Sequence, residues 1–160
     1  MARRRSLARV ALIGLAIAGV VTSAAWAGSN GNETRAVAQA TIKVAKSPLG
    51  TILVDGNGRT LYMTPLDTPG QIRCTTAENC TKLWAPLLTT AKPHAGPGVS
   101  AGLLGTIKRT KPPGIQVTYN GHPLYRYTGD LKPGDLNGQG FFSNWYVLSP
   151  KGAVIKKKTY

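Results

Sequence analysis

Residues 52–67, ILVDGNGRTLYMTPLD, and residues 115–130, IQVTYNGHPLYRYTGD, are two versions of one unit. At an offset of 63 they agree at Ile52/Ile115, Val54/Val117, Asn57/Asn120, Gly58/Gly121, Leu61/Leu124, Tyr62/Tyr125 and Asp67/Asp130, seven of sixteen positions. Each unit reads as a β-hairpin: an alternating strand, an Asn-Gly turn, then a second strand that opens with Leu-Tyr. Asn-Gly suits a two-residue type I′ turn because both central residues need positive φ. Alternation is cleanest in the second copy, where Ile115, Val117 and Tyr119 fall on one face and Gln116, Thr118 and Asn120 on the other. Each copy then leads to a tryptophan-headed segment, Trp84-Ala85-Pro86-Leu87 and Trp145-Tyr146-Val147-Leu148.

Working outward, Thr41–Lys46 and Leu49–Asp55 read as strands separated by Ser47-Pro48, and Leu103–Arg109 as a strand turned by Lys111-Pro112-Pro113-Gly114 into the second unit. Thr76–Leu83 is the one candidate helix, with Glu78 in its first turn. Residues 92–102 form a connecting loop. The expected fold is all-β or β-dominated, a single domain over residues 40–160 with repeat units at about 49–88 and 104–148 and one short helix. A period near 63 in two copies excludes a solenoid or a full propeller. The composition agrees, since 19 glycines and 11 prolines in 160 residues suit short strands and tight turns rather than a helical bundle.

The chain begins with an address. Arg3, Arg4, Arg5 and Arg9 precede an uncharged run from Val10 to Ala27 that closes on Ala25-Trp26-Ala27. A basic head, an apolar centre and a small-x-small site make residues 1–27 an export signal, with cleavage after Ala27 set against retention as an anchor. Arg4-Arg5-Ser6-Leu7 adds a faint twin-arginine pattern. Gly28 follows the cut, so no lipobox cysteine stands there to be acylated. Residues 28–39 are small and polar and read as a flexible tether. Export places Cys74 and Cys80 in an oxidising compartment, where a disulfide closing this short loop is the default. C-x5-C is not the C-x-x-C of redox or zinc sites.

In residues 115–130 the pattern Tyr125-x-Tyr127-x-x-Asp130 resembles a bacterial family of secreted repeats, described as predicted lipoproteins with a Y-x-[FWY]-x-x-D motif and of unknown function. ILVDGNGRTLY, LLGTIKR, VTYNGHPLYRYTGD and the Cys…Cys…Trp-x-Pro-Leu stretch fit as well, so the resemblance spans roughly residues 40–155. It implies a secreted β-domain and no particular reaction. The first copy departs from the motif: it has Tyr62-x-Thr64-x-x-Asp67, without the second aromatic.

Two readings are open for Tyr62, Asp67, Tyr125, Tyr127 and Asp130. As structure, the aspartates accept turn amides while the tyrosines pack by ring and bond by hydroxyl. As a site, they contact a ligand. The more divergent copy keeps Tyr and Asp, which favours structure. His122, expected exposed at the hairpin end, is a weak candidate metal or haem ligand with only His94 of its kind. Asp135 to Gly140 spaces oxygens as calcium loops do but lacks the closing acidic residue, so it reads as a turn. No nucleophile elbow, phosphate loop, dinucleotide glycine pattern or carboxylate pair emerges, so the sequence reads as non-enzymatic and no cofactor is expected.

Charge is the remaining clue. Twenty Lys and Arg stand against six Asp and Glu, +14 formally; removal of residues 1–27 leaves 16 basic side chains and +10. Lys108, Arg109 and Lys111 cluster, and Lys156-Lys157-Lys158 lies near the C-terminus. A solvated face is one reading; attraction to anionic wall polymers, a membrane surface or acidic proteins is the other. Nucleic acid is a poor partner for an exported chain. The expectation is a non-catalytic β-domain, secreted and associated with the cell envelope through anionic components. The alternative is an extracytoplasmic redox or metal/haem protein using His122, Tyr125, Tyr127 or the cysteines.

Overall fold

A computed structural model describes residues 38–157, in which the two sequence repeats become two interlocked halves. The first half supplies β1 (Thr41–Ser47), β2 (Gly50–Asp55), β3 (Tyr62–Met63), β4 (Trp84–Pro86), β5 (Leu88–Thr89) and β6 (His94–Ala95). The second supplies β7 (Leu104–Thr110), β8 (Pro113–Tyr119), β9 (His122–Pro123), β10 (Tyr125–Tyr127), β11 (Tyr146–Leu148) and β12 (Val154–Ile155). The export segment, most of the tether and Lys158 lie outside the described residues.

β1 and β2 form an antiparallel hairpin with Ile42 opposite Asp55 and Ser47 opposite Gly50; β7 and β8 repeat it with Leu104 opposite Tyr119 and Thr110 opposite Pro113. A separate five-stranded sheet runs in the order β12-β11-β3-β10-β4. At its centre β3 and β10 pair antiparallel with Tyr62 directly opposite Tyr125, so the two copies of the motif meet face to face. Each tryptophan-headed strand then crosses over: β4 of the first half pairs with β10 of the second, and β11 of the second with β3 of the first. β5 continues the exchange by pairing with β8.

Along β8, Gln116, Val117, Thr118 and Tyr119 are all buried, where the strand is paired with β7 and with β5 and β9. One core cluster gathers Ile42, Leu53, Leu61, Met63, Val117 and Leu124, and another gathers Ile52, Val54, Tyr62, Trp84, Tyr125 and Trp145. Each fully buried aliphatic side chain contributes about 1.5–3 kcal/mol of transfer free energy.

The two Asn-Gly dipeptides fold differently. In the second copy Asn120 and Gly121 have φ of 49° and 80°, the paired positive values of a two-residue type I′ turn, with Tyr119 opposite His122. In the first only Gly58 is positive, at 81°, and the loop is one residue longer, closed by the Asp55 N–H donating to the Arg59 carbonyl at 2.8 Å. Asp55 causes the difference: its Oδ1 accepts the amides of Asn57 and Arg59 at 2.9 and 3.0 Å, a local bond that Thr118, its counterpart, does not make. The expected helix is also shorter than its pattern. Only α1 (Cys80–Leu83) is helical; Asn79 sits in the left-handed region at φ 55° and breaks the run, leaving Glu78 outside. Cys74 and Cys80 are joined as a disulfide, which encloses the non-helical Thr75–Asn79.

Candidate functional site

The repeated motif assembles into two buried pairs that are exchanged between the halves. The Tyr62 hydroxyl of the first repeat donates to Asp130 Oδ2 of the second at 2.8 Å. Reciprocally, the Tyr125 hydroxyl donates to Asp67 Oδ2 at 2.5 Å. The second oxygen of each carboxylate closes its own turn: Asp130 Oδ1 accepts the Asn137 amide at 2.9 Å, and Asp67 Oδ1 accepts the Arg73 amide at 2.7 Å. Both tyrosines and both aspartates are buried. Burial, reinforced by the adjacent carboxylates, drives both phenols well above their ordinary range. Burial also raises the Asp130 carboxyl, against the lowering effect of the Tyr62 and Asn137 bonds. These four side chains have their hydrogen-bonding capacity turned inward and act as a lock between halves.

Tyr127, the aromatic that the first repeat lacks, lies against Trp84 with ring centroids 4.6 Å apart and against Phe141 at 5.4 Å. Trp84 in turn stacks flat on Trp145, 3.7 Å apart and 4° from parallel. Each such aromatic pair adds about 0.5–1.5 kcal/mol beyond burial. The stack ends at the surface in Phe142, which is 82% exposed and touches Phe141 edge-to-face at 4.6 Å. Phe142 (φ 45°) and Ser143 (φ 56°) are both left-handed, a backbone state that costs a bulky L-residue about 1–2 kcal/mol. Bonds from Ser143 N–H to the Gly140 carbonyl (2.9 Å) and from Tyr146 hydroxyl to the Ser143 carbonyl (2.7 Å) hold the turn. This tip carries no sequence motif; an adjacent Phe-Phe after Gly-Gln-Gly was its only visible trace.

His122 is half-buried rather than exposed, because β9 folds it back beside Tyr119, and burial lowers its pKa. The oxygens of the Asp135–Gly140 turn serve the chain: Asp135 Oδ2 accepts the Leu131 and Lys132 amides, and Gln139 Oε1 accepts the Val147 amide. Among the described residues no three His, Cys, Asp or Glu side chains stand together as a metal site requires.

Charge is sorted by side-chain type. Every lysine of residues 38–157 is exposed, whereas Asp55, Asp67 and Asp130 are buried and Glu78 is the one exposed acidic residue among the described residues. Arg109 corrects the expected basic cluster. It is only 3% exposed, its guanidinium donates to Gln116 Oε1 (2.5 Å) and to the carbonyls of Cys74 (2.7 Å) and Lys111 (2.9 Å), and it lies over the Tyr125 ring at 5.9 Å. The period-two alternation of β7 explains this: Ile107 and Arg109 point in while Lys108 and Thr110 point out. Lys108 and Lys111 remain at the surface and line an open cleft of about 460 Å³ with Gly70, Gln71, Ile72 and Thr75. A second cleft of about 480 Å³ has its charges already paired, Arg126 to Asp55 at 3.5 Å. The Lys108–Lys111 cleft is therefore the candidate site: cationic, open and without a carboxylate of its own among its lining residues.

Fold and site together define a strand-exchanged β-domain with a structural Tyr-Asp lock and a lysine-rich exterior. The chain belongs to a family described as a secreted repeat of unknown function, whose pattern matches residues 43–88 and again residues 105–149. No curated protein and no solved structure was found to match it. Among the described residues no helix is long and apolar enough to cross a membrane.

Proposed function

We propose that this protein is a non-catalytic binding domain that attaches to anionic components of the cell envelope through its lysine-bearing surface. The observation that carries the reading is the sorting of charge. Three of the six acidic residues are consumed inside the fold, at Asp55, Asp67 and Asp130, while every lysine among the described residues faces solvent. The exterior is thus more cationic than the sequence totals imply, and such a surface draws polyanions to itself. The Lys108–Lys111 cleft offers two unpaired ammonium groups beside the polar backbone of Gly70 and Gln71. Membership of a secreted family supports a partner met outside the cytoplasm. The hydroxyls of Tyr62 and Tyr125 are committed to carboxylates, which supports a structural role for these two side chains of the motif.

The test is co-sedimentation of the full chain with isolated envelope fragments over a salt series. Binding at low ionic strength that is released above roughly 0.3 M salt, where screening shortens the Debye length to about 5 Å, is expected. Lys108→Gln with Lys111→Gln should shift the release to lower salt. Absence of binding, or binding indifferent to salt, would falsify the reading.

A further inference from the structure

We propose that the Phe141–Phe142 tip, with the neighbouring Lys156 and Lys157, docks the domain onto the surface of an anionic lipid bilayer. The inference rests on the envelope-binding reading above and names its partner. Three observations converge. Phe142 is 82% exposed, and the left-handed backbone that presents it is unfavourable for its side chain, so the fold holds an apolar ring in water at a cost in both exposure and conformation. The ring does not stand alone: Phe141 packs beneath it against Trp84 and Tyr127, so the tip is the end of a rigid aromatic stack and resists being pushed aside.

The third observation is charge beside the tip. Gln139 Nε2 donates to the carbonyls of Ile155 (2.6 Å) and Lys157 (2.8 Å), which ties the exposed Lys156-Lys157 segment to the loop that carries Phe142. Phe142 follows Gln139 with two residues between them, a chain reach of at most about 11 Å. An exposed aromatic ring with lysines a short distance away matches a bilayer interface, where the ring enters the headgroup–acyl boundary and the ammonium groups meet anionic headgroups. A hydrated wall polymer would satisfy the lysines and offer the ring no apolar phase to enter.

The experiment is flotation of the full chain with vesicles of phosphatidylcholine alone or mixed with phosphatidylglycerol. The uncharged run at residues 10–27 is common to every variant, so differences between variants report the tip. Phe142→Gly relieves the left-handed strain and keeps the turn; it should lower affinity for the phosphatidylglycerol vesicles by about tenfold while the melting temperature stays equal or rises. Lys156→Gln with Lys157→Gln should lower it by about thirtyfold and narrow the preference over phosphatidylcholine. Unchanged vesicle affinity in Phe142→Gly overturns the proposal, as does tight binding to soluble acidic polysaccharide with none to vesicles. If either occurs while envelope fragments still sediment the parent chain in a salt-sensitive way, the general envelope reading stands and only the lipid partner falls. If the parent binds neither fragments nor vesicles, both fall.

Discussion

Tyr62 and Tyr125 show how a repeated residue can be repeated for reasons of structure. Each phenol is desolvated and faces a carboxylate, so its ionised form is disfavoured in the folded state, whereas in the unfolded chain it titrates near its ordinary value of about 10. A folded pKa raised above the unfolded one contributes stability that is full below about pH 10 and is lost as pH rises beyond it. Each tyrosine then removes about 1.4 kcal/mol per pH unit. Urea unfolding at pH 9, 10 and 11 should therefore show a steep loss for the parent chain and a shallower one for Tyr62→Phe. At neutral pH the same variant should be less stable by about 1–3 kcal/mol, because Asp130 Oδ2 loses its partner while buried. Equal alkaline slopes in the two proteins would show that Tyr62 does not titrate as its surroundings require. The Tyr and Asp positions were legible in the sequence through their fixed spacing. Their pairing was not, since nothing along the chain tells an aspartate to accept from the other repeat's tyrosine rather than its own.

At the scale of elements, the hairpin arms and the two Asn-Gly turns were readable from alternation and turn chemistry, and so was the second turn's geometry. The first turn differs because Asp55 offers its neighbours' amides a local acceptor, a competition between side chain and ladder that the dipeptide alone does not reveal. In strand β7 the alternation that turns Ile107 inward also buries Arg109. Arg109 then works as a bracket that joins β7, the Cys74 carbonyl and the Tyr125 ring. Replacing it by lysine removes the fork that reaches three acceptors and should cost about 2–4 kcal/mol. Lys108→Ala, one residue away and exposed, should stay within about 0.5 kcal/mol of the parent. Urea midpoints of the two variants check this, and similar losses in both would return Arg109 to the surface.

For the whole molecule the governing fact is exchange. β4 and β5 of the first half complete the sheets of the second, and β11 completes the first. Two consecutive hairpin units were foreseeable from the repeat; their interlocking was not, because sequence similarity reports what each unit is and not which partner its last strand chooses. A chain ending near Ser100 lacks β10 and β11 beside β3, and the acceptor of the Tyr62 hydroxyl. Residues 38–100 alone should show no cooperative thermal transition by circular dichroism, and neither should residues 101–157. Mixed, the two fragments should regain the transition and elute together as one species. Independent folding of either fragment would contradict the exchanged topology.

The Tyr62–Tyr125 pairing also gives the chain an internal two-fold symmetry. Across that point residue i of one repeat meets residue j of the other and j meets i, the self-complementary contact of a two-fold homodimer. Each repeat therefore offers the other the same pair of partners, and the differences between the halves lie outside this contact: the cysteine bridge in one, Tyr127 and the phenylalanine tip in the other.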